Sequence, residues 1–116
     1  MSNNILLHNE SCSKSNAAHN WLIDHNIEFT TRNYLSQPLT YCELEKLQSQ
    51  LNINATELVR TNETEWIENT KDCTMSNDEI LRLIERYPVL LQRPIFIKDD
   101  RAVVARPIEK LIELYK

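Results

Sequence analysis

Apolar and polar positions divide the first third of the chain into three predicted elements. The apolar run Ile5-Leu6-Leu7 predicts a short strand over Asn4 to Leu7. Alanine, tryptophan and leucine then recur on one side of a helix predicted from about Ser13 to His25. A looser alternation from Ile27 to Asn33 predicts a second strand.

Two later helices are predicted from capping boxes. Thr40 to Glu43 and Ser76 to Glu79 each place a hydroxyl residue three positions before a glutamate, and apolar residues at helical spacing follow both. Between them, Ala55 to Val59 and Glu63 to Ile67 predict short helical turns.

The last third of the chain predicts a hairpin and a helix. Pro94 opens the apolar segment Ile95 to Ile97, a polar turn follows, and Ala102 to Ala105 can return as the second strand. Pro107 suits the first position of a final helix.

The resulting order is β-α-β, a helical middle, then β-β-α. A β-α-β opening requires parallel strands and a hairpin adds antiparallel ones, so we predict a mixed four-stranded sheet. This order is that of an α/β thioredoxin-like fold. Residues 1–116 would form one domain, with a helical insertion at about 40–88.

Composition narrows the possible functions. The net charge of −4 argues against a broad nucleic-acid-binding face. No apolar run reaches membrane-spanning length, and no signal peptide is apparent. Three widely spaced cysteines form neither a disulfide framework nor a metal site, so we expect a cytoplasmic protein without a metal. Glycine is absent, which excludes glycine-rich nucleotide loops and leaves turns to Asn, Asp, Ser and Pro.

Cys12 is the candidate nucleophile. It lies where the first predicted strand gives way to a helix, whose free N–H groups and positive dipole end favour a thiolate. The alternative is a small buried cysteine that only packs. Cys42 and Cys73 have no comparable setting, and packed or spectator thiols are the simpler interpretation of both.

Three arginines at element ends are candidates for an anion site: Arg60, Arg93 and Arg106. Exposure to water is the alternative for each. A cis bond before Pro94 could hold Arg93 near the Cys12 loop. The Cys-x5-Arg loop of low-molecular-weight phosphatases is absent, because Ala18 occupies the arginine position.

Three residues around Cys12 are candidates for supporting roles. A His8 imidazolium would lower the thiol pKa, although His8 could also end the strand without that contact. The Ser15 hydroxyl could donate to the thiolate or bond to the first helical turn. Asn9 could turn the loop.

These motifs together resemble the glutaredoxin-coupled arsenate reductase family. The resemblance rests on His8-Asn9, Cys12-Ser13-Lys14-Ser15, Leu58-Val59-Arg60-Thr61, Arg93-Pro94-Ile95 and Arg106-Pro107, in the family's order and spacing. It covers nearly the whole chain. Where members commonly have proline, this chain has Glu10, whose carboxylate would oppose thiolate and arsenate unless it pointed outward.

The resemblance implies an oxidoreductase that converts arsenate to arsenite. Cys12 would attack arsenate, His8 would help to lower its pKa, and Arg60, Arg93 and Arg106 would hold the oxyanion. No cofactor would be bound; glutathione would be the co-substrate and glutaredoxin the protein partner. We expect a monomer.

Two other functions remain open on these residues. Related Spx-type regulators bind RNA polymerase and typically carry Cys-x-x-Cys, whereas Ser15 occupies the second cysteine position here. A glutathione-linked thiol oxidoreductase with another substrate would use the same thiol and arginines.

Overall fold

The computed structural model describes residues 4–70 and 74–115 of the chain. These residues form two compact units. The first combines residues 4–37 with 93–115, and the second consists of residues 38–70 and 74–92. The predicted insertion at about 40–88 falls inside the second unit.

The first unit is built on a four-stranded sheet of order β2-β1-β3-β4. Its strands are β1 (Ile5–His8), β2 (Thr30–Asn33), β3 (Ile95–Lys98) and β4 (Arg101–Val104). The pair β1–β2 is parallel, whereas β1–β3 and β3–β4 are antiparallel. The predicted mixed sheet and thioredoxin-like α/β fold are therefore confirmed.

Two helices cover one face of this sheet. Helix α1 (Ser13–Asp24) makes the crossover between the parallel strands, and α6 (Glu109–Glu113) follows β4. Their apolar residues and those of the sheet form one buried cluster, which consists of Leu6, Ala18, Leu22, Phe96, Ala105 and Leu111. This core fixes the start of α1 relative to the strand ends.

The second unit is helical. It contains α2 (Tyr41–Leu51), α3 (Ala55–Leu58), α4 (Thr64–Asn69), α5 (Asn77–Arg86) and a 3₁₀ turn over Pro88–Leu90. The capping boxes predicted at Thr40 and Ser76 are both present, with the hydroxyls accepting from the N–H groups of Glu43 and Glu79. A third box, at Asn54, was not predicted.

Two predicted elements are shorter than expected. The second strand begins at Thr30 rather than Ile27, because the N–H of Ile27 bonds to the carbonyl of Leu22 and belongs to the end of α1. The last helix begins at Glu109 rather than Pro107. Its first turn is closed by i to i+3 bonds from Lys110 to Pro107 and from Leu111 to Ile108, so regular α-helix starts later.

Asparagine and aspartate replace glycine where the backbone is left-handed. Asn26, Asn52 and Asp99 have φ of 57°, 56° and 57°. Asn and Asp tolerate this region better than other side-chain-bearing residues. The chain thus turns without glycine, as its composition predicts. Within the described ranges, no helix is long and apolar enough to span a bilayer.

Candidate active site

The parallel strands of the first unit bring two polar residues to one edge of the sheet. His8 pairs with Asn33 at the last position of β1 and β2. The register counted one residue further puts Asn9 opposite Tyr34. The carboxyl ends of parallel strands meet at one edge of a sheet, where ligands commonly bind in α/β proteins.

The antiparallel strands bring two arginines to the same edge. Beyond the last paired residues of β3 and β4, the N–H of Ala105 bonds to the carbonyl of Pro94 at 2.9 Å, which continues the pairing. One step further, Arg93 lies opposite Arg106, and the β1–β3 register puts Arg93 opposite Asn9. We call Asn9, Tyr34, Arg93 and Arg106 the edge row.

Cys12 lies beside this row at the start of α1. It is the N-cap residue, with extended backbone at φ −105° and ψ 121°. Its N–H donates to the carbonyl of Asn9 at 3.0 Å, and its carbonyl accepts from the N–H of Asn16 at 3.0 Å. The side chain of Cys12 is partly exposed.

The surroundings of Cys12 favour the thiolate. Burial alone would raise the pKa of Cys12, but hydrogen bonds from the backbone of Ser15, from Arg93 and from the backbone of Lys14 outweigh it and lower the pKa. The positive charge of Arg93 acts in the same direction. Helix N–H groups and an arginine are the surroundings that activate reactive cysteines.

His8 acts differently from the expected imidazolium. Its side chain is buried, and burial, followed by the neighbouring His19, lowers its pKa, with Glu10 opposing. The ring is therefore neutral at pH 7. Nδ1 lies 2.5 Å from the Ser15 hydroxyl, and the ring stacks on His19 with centroids 5.1 Å apart. His8 thus adds no positive charge to the site.

Ser15 also differs from one expectation. Its hydroxyl accepts from the N–H of Asn9 at 3.0 Å and bonds to His8, so it is not the group that donates to the thiolate. The backbone of Ser15 makes that bond instead. A neutral His8 that accepts at Nδ1 from the hydroxyl satisfies the Ser15 hydroxyl proton and that ring nitrogen.

The arginines have distinct environments. The peptide bonds Arg93–Pro94 and Arg106–Pro107 are both cis. Arg93 is partly buried; burial lowers its pKa, but Cys12 and Tyr34 outweigh that effect and raise it, so Arg93 stays charged. Arg106 is exposed.

Arg60 belongs to the second unit. The guanidinium of Arg60 forms an ion pair of 2.6 Å with Glu63, and the backbone N–H of Arg60 donates to the carbonyl of Leu90 at 2.7 Å. Its assignment to the oxyanion site stays a prediction.

Cys42 and Glu10 lie outside the contacts of the Cys12 thiol described above. Cys42 is exposed in the first turn of α2, and Cys73 lies outside the described residues. The side chain of Glu10 is exposed. Among residues 4–70 and 74–115, no three His, Cys, Asp or Glu side chains are grouped as a metal site.

Tyr34 is the residue that sequence reasoning missed. Its side chain is fully buried, and its hydroxyl is influenced by Arg93, Asn9 and Cys12. The signal was available: Tyr34 directly follows the second predicted strand, at the edge where Cys12 was expected.

These features define a thioredoxin-like protein with one activated cysteine at the edge of its sheet. The model of the ArsC family matches residues 7–114, and the chain belongs to that family. An arsenate reductase of Neisseria meningitidis is 33% identical over 108 residues, which cover 91% of this chain and 92% of that protein.

Two further relatives show the breadth of the similarity. The global transcriptional regulator Spx of Streptococcus pneumoniae is 34% identical over 92 residues, covering 78% of this chain and 69% of the regulator. The structure of an arsenate reductase from Vibrio cholerae superimposes with a TM-score of 0.90 at 29% identity, and covers 95% of both chains. The chain is thus similar both to arsenate reductases and to Spx regulators.

Proposed function

We propose that this protein reduces arsenate to arsenite, with Cys12 as nucleophile, glutathione as co-substrate and glutaredoxin as partner. The observation that carries the proposal is the position of Cys12 at the start of α1. There the Ser15 and Lys14 backbones and Arg93 stabilise its thiolate. The arsenate reductases among the similar proteins support the choice of substrate.

The first step forms a bond between sulfur and arsenic. The Cys12 thiolate attacks arsenate and displaces one oxygen, which leaves as water after protonation. Arsenic remains in its pentavalent state. Arg93, beside the thiol, neutralises charge on the oxyanion, and Arg106 at the same edge and Arg60 are proposed to add to this binding.

The second step transfers two electrons. The glutathione thiolate attacks the Cys12 sulfur, and the electron pair of the S–As bond stays on arsenic. Arsenite leaves, and a mixed disulfide between Cys12 and glutathione remains. Glutaredoxin then attacks the glutathione sulfur and frees Cys12. An external thiol is required because Ser15 occupies the position of a nearby resolving cysteine.

The experiment supplies arsenate, glutathione and glutaredoxin to the purified protein and follows arsenite formation. We expect turnover in wild type, none in Cys12→Ser, and wild-type turnover in Cys42→Ser, which removes an exposed thiol outside the first unit. No turnover in wild type, or full activity in Cys12→Ser, would contradict the proposal. Turnover without glutaredoxin would contradict only the proposal that glutaredoxin is the partner.

A second function is favoured by the similarity to Spx over 92 residues. A transcriptional regulator of this kind would act by binding RNA polymerase. Its redox switch could not be a Cys12–Ser15 disulfide, since Ser15 has no thiol. Retention of purified RNA polymerase by the immobilised protein, combined with no arsenate turnover, would favour this function.

A further inference from the structure

The Tyr34 hydroxyl is buried, and no group in the described part of the chain accepts its proton with good hydrogen-bond geometry. The side chain has 0% exposure, and within residues 4–70 and 74–115 the hydroxyl has no hydrogen-bond partner of good geometry. Leaving a polar group buried and unpaired is unfavourable, and such groups in folded proteins commonly mark a missing ligand or a functional role.

A second unpaired donor lies in the same row. Nε of Arg93 is also buried and has no partner among the described residues. The side chains of Asn9 and Arg93 lie close enough to the Tyr34 phenol to influence it through hydrogen bonding, although neither has the geometry of a full bond, and the charges of Arg93 and Cys12 also reach it. Two unpaired donors therefore lie close to the nucleophile, in an arrangement that fits a ligand with several acceptor oxygens.

The Tyr34 hydroxyl is suited to donate. Burial raises the pKa of Tyr34, although Arg93 and Asn9 oppose this effect. The phenol is therefore protonated at neutral pH. A neutral donor beside an arginine can bind an oxygen of a tetrahedral anion without adding positive charge. A second positive charge would further depress the pKa of the thiol.

We propose that the Tyr34 hydroxyl donates a hydrogen bond to a tetrahedral oxyanion held at Cys12 and Arg93, and is therefore a substrate-contacting residue. The assignment rests on the proposed function for the identity of that anion as arsenate. The contact itself transfers no proton. Three observations support the proposal: the Tyr34 hydroxyl is buried, Tyr34 lies opposite Asn9, and Nε of Arg93 is unpaired.

Tyr34→Phe tests the proposal because it removes the hydroxyl and keeps the ring. Inorganic phosphate serves as an unreactive tetrahedral oxyanion, and its Kd is measured by protection of Cys12 from iodoacetamide. Hydrogen bonds to charged groups imply a Kd about tenfold or more higher in Tyr34→Phe. Tyr41→Phe is the matched control. It also removes a tyrosine hydroxyl, but the hydroxyl of Tyr41 is exposed and donates to Asp78 in the second unit.

Thermal unfolding without ligand provides an independent readout. An unpaired hydroxyl contributes nothing favourable to the free protein, so the unfolding midpoint of Tyr34→Phe should equal or exceed that of wild type. A structural hydroxyl would show the opposite result. A clearly lower midpoint, an unchanged Kd for phosphate, or no protection of wild-type Cys12 by phosphate would overturn the proposal.

Arsenate kinetics separate this proposal from the reductase function. If wild type reduces arsenate and Tyr34→Phe does so with the same KM, the Tyr34 assignment fails and the reductase function stands. If phosphate binding depends on Tyr34 but wild type forms no arsenite, the assignment stands and the reductase function fails.

Discussion

The Ser15 hydroxyl lies 2.5 Å from Nδ1 of His8, and both side chains are buried beneath the turn that presents Cys12. The same hydroxyl accepts the N–H of Asn9. Ser15 thus joins the end of β1 to the first turn of α1. The pair holds the backbone that activates the thiol, rather than acting on the thiol with a charge.

Ser15→Ala should destabilise the protein by about 1–3 kcal/mol, because it leaves the buried Nδ1 of His8 and the partly buried N–H of Asn9 without a partner. Urea unfolding measures the free energy. Ser13→Ala is the control, since Ser13 is exposed in the same turn. Equal unfolding free energies for the two variants would show that the buried bond is not important for stability.

The folded protein should become less stable as the pH is lowered below about 6.5, the ordinary pKa of histidine in an unfolded chain. Burial and His19 lower the folded-state pKa of His8, so the unfolded chain binds a proton that the folded protein does not. The free energy of unfolding therefore decreases as pH falls from 6.5 towards the folded-state pKa. Urea unfolding at pH 7.5, 6.5 and 5.5 measures it.

His8→Gln should weaken this pH dependence, whereas His25→Gln should preserve it. His25 is exposed, and its ring stacks on Trp21. The same slope in His8→Gln as in wild type would assign the dependence to other groups.

Arg93→Gln should raise the pKa of Cys12. Burial already raises this pKa, and the substitution removes one of the groups that outweigh burial. The pH profile of iodoacetamide alkylation reports the thiolate. Its midpoint should lie below about 8.5, the value for a free cysteine, in wild type, and move towards that value in the variant.

Arg101→Gln is the matched control for this shift, because it removes an equal charge from an exposed position of β4. A midpoint that moves equally in both variants would indicate a general charge effect instead of the contact with Arg93.

If Arg60 binds the oxyanion as proposed, Glu63→Gln should lower the KM for arsenate. Its carboxylate pairs with Arg60, and a guanidinium freed from that pair can bind the oxyanion more strongly. The modest energy of such pairs implies a decrease of about two- to fivefold. Steady-state kinetics measure it against Glu68→Gln, an exposed glutamate of the same segment. Equal KM values in the two variants would count against Arg60 as a substrate ligand.

Local features of the fold were predictable from sequence. The starts of α2 and α5 follow from capping boxes at Thr40 and Ser76, because each box is made by residues three positions apart. The residue types at the left-handed positions follow from composition, since a chain without glycine leaves asparagine and aspartate as suitable types; the positions themselves, Asn26, Asn52 and Asp99, come from the structure. The start of the last helix at Glu109 was not predictable from Pro107 alone.

The site was less accessible to sequence reasoning because burial and register depend on distant residues. The spacing of His8 from Cys12 suggested a charge effect, but burial keeps the imidazole neutral. Tyr34 acquires its place from a strand pairing that joins positions 25 apart, such as His8 and Asn33. The buried state of its hydroxyl follows only once the sheet has formed.

The positions of the edge-row residues depend on the lengths and register of the strands that carry them. Each row residue is a fixed number of positions beyond a paired residue, such as Leu7 opposite Ile95. Inserting one residue into β3 would leave a sheet that can still pair, but it would replace Arg93 in the row and reverse the faces of the strand. Homologues should therefore vary in the length of the connection at residues 38–92, while insertions and deletions stay out of the four strands.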